Sequence, residues 1–389
     1  MAAAPDHGPY PFPYRRIVLA PDKFKGSLSA ADVARYLAAG LRRASADVQI
    51  ATVPIADGGD GTVDAVVSAG FTRRTARVCG PLGGPVDADF ALRGDVAVVE
   101  LAQAAGLALL GPGGADPLRS HTRGVGQLIG AALDAGARTI ILGVGGSAST
   151  DGGAGMLAGL GARWLDGSGE PLPDGGGHLT RLAAVDVSGL DPRLSGTRFQ
   201  LACDVDNPLL GEHGAAAVYG PQKGADPGQV AELERGLARL ADVLTATLGA
   251  PARQAVGAPG AGAAGGTGFA ALAVLGALRE PGINLLLETV GFDRALDETD
   301  LVVTGEGSLD EQTLRGKAPA GVAAAARARG LPTIAVCGQL SLDPARLHAA
   351  GIIRAYALTD LEPDVARCLA APGPLLERIG ESIARTPLN

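Results

Sequence analysis

Aromatic residues make up only 3% of this 389-residue chain, which has a single Trp. Its interior must therefore be built mostly from Ala, Val, Leu and Ile, small side chains that suit helices packed closely on a sheet. Cysteine is scarce. Cys79, Cys203, Cys337 and Cys368 lie far apart and no CxxC pair occurs, which argues against a zinc site. Cys203 and Cys337 fall in apolar runs, where a reduced buried thiol is the default, and a cytoplasmic location is expected on that basis. No apolar run is long enough to span a bilayer, so no membrane partner is expected. Positive charge is also short: 33 Lys and Arg against 41 Asp and Glu leave a formal charge of −8. A nucleic-acid partner would call for a basic face and is not expected. Residues 1–14 are rich in Pro and Ala and lack a charged segment followed by an apolar one. They read as a disordered tail rather than a secretory signal. No GxxxxGK[ST] run, protein-kinase motif set, GxSxG elbow or HExxH occurs, and no intact GxGxxG opens the first βα unit.

The length is enough for two domains, and 47% hydrophobic residues can fill two cores. Arg16–Ala20 reads as a buried strand. Ser29 to Asp32 has capping-box spacing with Asp in place of Glu, and Val33, Leu37 and Leu41 follow at helical spacing. A strand over Val48–Ile55 and a helix from Val63 to Ser68 complete a βαβα opening, which predicts a parallel sheet. From Thr72 to Leu101 three short strand-like runs separated by Gly/Pro turns predict antiparallel hairpins. A helix over Arg123–Ala135, a strand over Thr139–Val144, a strand over Phe199–Cys203 and a long amphipathic helix over Val230–Leu248 follow. Gly257–Gly268 reads as an interdomain linker or a binding loop. Near Ile283 the simple α/β alternation returns, with strands at Leu301–Val303 and Thr333–Cys337 around a helix at Ala318–Arg329, and a further strand near Tyr356. The expected fold is α/β with two domains. A doubly wound, Rossmann-like parallel-sheet domain comes from both chain ends, residues 15–72 and 284–389. A mixed α/β domain, residues 73–283, is inserted between them, with the active site expected in the cleft.

The segment from Thr304 to Lys317 packs three acids, an arginine, a lysine and three glycines into what reads as one strand-to-helix connection. Acids hold divalent cations, cations and amides hold phosphate, and glycines let backbone come close. Four more clusters share this character: Asp22–Ser27, Asp57–Thr62, Gly145–Gly153 and Asp204–Pro208. Gly and Asp dominate ordinary turns, so one cluster means little. Five, each after an apolar run, point to ligand binding beyond the carboxyl ends of strands. Gly145–Gly153 opens a predicted helix, and Ser147, Ser149 and Thr150 add hydroxyls. It reads as a phosphate cradle or, equally, as a helix cap with packing glycines. Asp204 and Asp206, two apart after a strand, would face the same side. They could hold Mg²⁺ together, divide base and metal roles, or form an Asx-turn before Pro208. His121 could be catalytic, but capping of the next helix is the simpler reading.

Six stretches together resemble the bacterial glycerate 2-kinase family (glycerate kinase type I). They are Ala20–Leu28, Ala56–Thr62, Gly145–Gly155, Ala202–Leu209, Tyr219–Ala225 and Thr304–Lys317, in the family's order and spanning nearly the whole chain after Tyr14. Asp60 departs from the pattern, which usually carries Glu there. The resemblance implies Mg²⁺-dependent transfer of phosphate from ATP to the 2-hydroxyl of D-glycerate in the cytoplasm. Homodimerisation is left open. On this basis Asp204 is expected as base, with Lys23 and Lys25 as further catalytic groups. Arg315, Asp57, Asp60 and Ser27 are expected on glycerate. Gly145, Gly146, Ser147, Lys317, Gly305 and Gly307 are expected on ATP phosphates, and Asp206, Asp310 and Glu306 on the metal. The competing readings are a kinase for another short hydroxy acid or for the 3-hydroxyl, and a non-catalytic phosphometabolite-binding regulator.

Overall fold

The computed structural model describes residues 14–385, the Arg315 side chain excepted. The tail expected over residues 1–14 lies, but for Tyr14, outside the described residues, as does the Arg315 side chain expected to clamp glycerate. The strands are β1 (Arg16–Pro21), β2 (Gln49–Thr52), β3 (Thr72–Cys79), β4 (Pro85–Arg93), β5 (Val96–Glu100), β6 (Thr139–Gly143), β7 (Arg163–Asp166), β8 (Leu182–Asp186), β9 (Arg198–Ala202), β10 (Leu278–Glu280), β11 (Leu301–Leu309), β12 (Thr333–Leu340) and β13 (Ile352–Ala357). They form two large sheets and the small β7–β8 pair. The chain divides into two compact units, one up to Ala56 and from Leu286 onward, the other Asp57–Leu285.

The first unit holds a five-stranded, all-parallel sheet in the order β13-β12-β11-β1-β2. Counted along the unit, the strand order is 2-1-3-4-5, a doubly wound arrangement whose direction reverses between β1 and β11. Alternate residues face opposite sides of a strand, and the two cores follow that alternation. Leu19, Val303, Ile334 and Val336 pack with Leu37 and Leu41 of helix Ala30–Ala44 and with Leu376 and Ile379 of helix Pro372–Arg385. Ala335 and Cys337 pack instead with Ala323 of helix Ala318–Ala328 and Leu347 of helix Pro344–Ala349. Helix Ala30–Ala44 starts where the sequence predicts, with the Ser29 hydroxyl accepting from the Asp32 amide at 3.1 Å. The Asp32 carboxylate accepts from the Ser29 hydroxyl at 2.7 Å. This is a local cap in which Asp is too short to reproduce the usual Glu contact to the cap amide. The two helices on this face touch through glycine: a Cβ on Gly40 would lie 1.9 Å from the Glu377 carbonyl oxygen.

The second unit holds a six-stranded sheet in the order β10-β9-β6-β5-β4-β3. Its first four strands are parallel, and β5-β4-β3 are the antiparallel hairpins predicted from the Gly/Pro turns. In register, Glu100 pairs Gly143, Gly143 pairs Ala202 and Ala202 pairs Glu280, so the carboxyl ends of four parallel strands stop level. Helix Thr62–Ser68 packs on β3, β4 and β5 of this unit. The long helix runs from Pro227 to Leu248, begins with a full Asp226–Gln229 capping box, and buries Leu233, Leu237, Leu240 and Leu244. Gly257–Gly268 is no interdomain linker. It lies inside this unit, where Ala261, Ala263 and Ala264 join the core. All four cysteines are free, and Cys203 and Cys337 are buried. Among the described residues no helix is long and apolar enough to cross a membrane.

Candidate active site

In the first unit the expected residues gather where the strand order reverses, the place at which open α/β sheets leave a crevice. β1 ends in Pro21, and the Asp22 amide donates to the Gly305 carbonyl at 2.8 Å, tying the ends of β1 and β11 together. The Asp22 carboxylate accepts from the Lys23 amide at 2.6 Å. Phe24 and Leu28 then close a tight turn by exchanging backbone bonds at 3.0 Å, with Gly26 in the left-handed region at φ +79. Ser27 donates to the Phe24 carbonyl at 3.0 Å, so its hydroxyl helps hold this turn. Lys23 is half-buried and Lys25 exposed. A Cβ on Gly307 would lie 3.3 Å from the Lys25 amide nitrogen, so glycine lets the two loops approach.

β11 is longer than the sequence predicts. It continues from Val303 through Leu309, pairing Glu306 with Cys337 and Leu309 with Leu340. Its glycines and acid resemble loop chemistry, and packing also demands glycine at 305, where a Cβ would meet the Val336 carbonyl oxygen at 2.0 Å. The true connection is 310–317. Glu306, 8% exposed, accepts from the Thr313 hydroxyl at 2.5 Å, and its other oxygen is 3.8 Å from the Lys317 ammonium. Asp310 accepts from the amides of Gln312 at 2.8 Å and Thr313 at 3.3 Å. Both acids thus shape the turn that presents Lys317, which stands at the N-cap of helix Ala318–Ala328.

In the second unit a second set lies along the level strand ends. The Asp57–Gly61 turn is folded on this edge: the Gly145 amide donates to the Gly58 carbonyl at 3.3 Å. A Cβ on Gly145 would lie 2.4 Å from the Gly59 Cα, and one on Gly146 would lie 2.1 Å from an Asp60 carboxylate oxygen. Asp57 accepts from the Gly59 amide at 3.1 Å. Sequence reasoning missed Glu100, the last residue of β5. It is 2% exposed and accepts from the amides of Gly61 and Val63, both at 3.1 Å, fixing this turn. An acid ending an apolar run was the available signal.

Asp204 accepts from the Gly282 amide at 2.8 Å. Its side chain remains open to solvent, yet the protein around it desolvates the carboxyl enough to raise it from the usual 3.8 to about 6. The Gly282 N–H and Arg279 oppose that rise, and Asp57 adds to it. Asp206 pairs with Arg279 at 2.6 Å. β9 ends at Ala202, so the strand's two-residue alternation does not by itself extend to these two acids.

The Gly145–Gly153 turn divides in two. Its second half serves the protein itself: the Asp151 carboxylate accepts from the amides of Gly153 and Gly155, both at 3.1 Å, and from the amide and hydroxyl of Thr122 at 2.9 and 2.8 Å. The helix that follows is only Ala154–Gly159 and already has its anion in Asp151. Gly146 and Ser147 stand in the first half, Gly146 exposed and Ser147 buried. His121 is a capping residue, its Nδ1 accepting from the Arg123 amide at 3.3 Å. Among the described residues, no three His, Cys, Asp or Glu side chains gather as a metal site.

The family model for the glycerate kinase family matches residues 17–388. A glycerate kinase of Halalkalibacterium halodurans is 44% identical over 371 residues, 95% of this chain and 97% of that protein. The glycerate 2-kinase of Escherichia coli K12 is 43% identical over 346 residues, covering 88% and 90%. A crystal structure from Salmonella typhimurium LT2, described as glycerate kinase 2, superposes with a TM-score of 0.82 at 40% identity, covering 95% of this chain and 97% of that one.

Proposed function

The chain belongs to the glycerate kinase family, and from that premise we propose that it transfers the terminal phosphoryl group of ATP to the 2-hydroxyl of D-glycerate, giving 2-phosphoglycerate and ADP. The observation that carries the chemistry is Asp204. A hydroxyl attacking phosphorus must lose its proton, and a carboxylate raised to about 6 is a better acceptor than an ordinary one while still ionised at neutral pH. The Gly282 amide fixes where one carboxylate oxygen stands, leaving the other for the substrate hydroxyl.

The remaining roles follow from charge. Phosphoryl transfer rests on positioning and on neutralising phosphate oxygens. Lys23, Lys25 and Lys317 supply that charge, and the backbone and hydroxyl of Gly145, Gly146 and Ser147 bind phosphate. Arg315 takes the glycerate carboxylate as a two-pronged donor, and Asp57 and Asp60 accept from glycerate hydroxyls. The reaction takes place in the cytoplasm. Mg²⁺ enters with ATP. Asp206, Asp310 and Glu306 each already accept from protein donors, which fits an ion held mainly by phosphate oxygens with one or two carboxylates. When bound, the ion neutralises phosphate charge.

The test is direct. Pure protein is incubated with ATP, Mg²⁺ and D-glycerate, and the product is identified by phosphorus NMR. The expected product is 2-phosphoglycerate. Appearance of 3-phosphoglycerate would overturn the choice of hydroxyl, and binding without turnover would mark a regulator.

A further inference from the structure

Lys223 has no place in the chemistry above, yet it is the largest fully buried side chain of the described residues, 2% exposed. It ends a short turn, Pro221–Lys223, followed by Gly224 at φ +90. Its ammonium donates to the Ser149 carbonyl at 2.5 Å, across 74 residues of sequence. A lysine almost never gives up water without strong compensation. Here the compensation is that carbonyl and the fully buried carboxylate of Asp151, whose charge favours the ammonium. Burial still pushes the group down to about 7.

The location of the contact is informative. Ser149 lies two residues beyond Ser147, at the joint between the two halves of the Gly145–Gly153 turn. The hydroxyls of Ser149 and Thr150 are buried and have no hydrogen-bond partner among the described residues, so these side chains do not fix the joint. Its backbone is held from outside: Gly265 packs beneath it, where a Cβ would meet the Ser149 carbonyl oxygen at 2.0 Å. The Ala148 amide donates to the Ala105 carbonyl at 2.8 Å. Lys223 adds a charged donor on this carbonyl, and a charge-assisted bond is about twice as strong as a neutral one.

We propose that Lys223 is a positioning residue for the reaction, fixing the Ser149 peptide so that Gly146 and Ser147 are presented to the nucleotide phosphates; this rests on the phosphate role proposed for those two residues. Lys223 touches neither substrate. It acts through the peptide geometry of the turn, with Asp151 as its counter-charge and as the anchor of the turn's far end.

Lys223→Met keeps the buried chain and removes the ammonium. The expected result is a KM for ATP raised about tenfold or more, the scale of a lost charged hydrogen bond, with the KM for D-glycerate nearly unchanged and the native fold retained. An unchanged KM for ATP in folded K223M overturns the inference. So does a loss of stability alone, or failure of both K223M and Lys223→Gln to fold, since each marks a purely structural lysine. Gly146→Ala is the control for the underlying reading. If G146A raises the KM for ATP and K223M does not, only the role of Lys223 falls. If G146A leaves it unchanged, the phosphate role of the turn falls and the role of Lys223 falls with it.

Discussion

At the scale of single residues, position along a strand end decides a side chain's environment more than residue type does. Asp204 and Asp206 are the same side chain two positions apart, yet one faces an amide donor and rises to about 6 while the other pairs with an arginine. Asp204→Asn keeps the shape and the bond from Gly282 but cannot take a proton, so kcat should fall by about a hundredfold or more with KM values little changed. In the parent, kcat/KM should decline as pH drops through about 6, where Asp204 becomes protonated. The stability sign is opposite to that of a salt-bridged acid. The folded state binds the proton more tightly than the unfolded one, so ionising Asp204 between about pH 4 and 6 lowers stability rather than raising it. A flat pH–rate profile through that range, or an active D204N, would remove Asp204 from the role of base. Asp204 was legible in the sequence as an acid after an apolar run. Lys223 was not. A lysine in a Gly/Pro-rich turn looks like surface, and its burial depends on Ser149, far away in the chain.

At the scale of elements, apolar periodicity located strands and helices well, and charge misled. β11 runs to Leu309 because Glu306, Gly307 and Ser308 occupy strand positions beside β12, although their composition suggests a loop. The Gly145–Gly153 turn shows the same ambiguity from the other side. Its glycines include packing contacts, such as Gly152 against Leu240, where a Cβ would lie 2.3 Å from a side-chain carbon. Close packing also governs the helix pair of the first unit. Gly40→Ala would place a methyl 1.9 Å from the Glu377 carbonyl oxygen, and a Cβ on Gly380 of the other helix would lie 2.5 Å from the Leu37 carbonyl oxygen. Backbone cannot yield as a flexible side chain does, so G40A should destabilise the protein by about 1–3 kcal/mol in denaturant titration. The gain in helix propensity from Gly to Ala is about 1 kcal/mol and acts the other way. A neutral or stabilising G40A would mean that the two helices separate at little cost.

At the scale of the whole molecule, two facts were beyond the sequence: the 2-1-3-4-5 strand order of the first unit and the level strand ends of the second. Both depend on which strands become neighbours, and apolar runs of similar composition do not specify that. The return of α/β alternation near Ile283 did suggest that distant chain segments share a sheet, and β1 indeed pairs with β11 across that distance. Each unit has its own core: the Leu19 and Ala335 clusters in the first, and in the second the large cluster holding Phe269 and the Leu233–Leu244 helix face. Separate cores make separate cooperative transitions the expectation on heating. Differential scanning calorimetry should give a measured enthalpy larger than the van't Hoff value, with two resolvable components. G40A then identifies them, because its strain lies wholly within the first unit. It should lower one component by several degrees and leave the other in place. A single transition that G40A shifts as a whole would instead show that the two cores melt as one cooperative body.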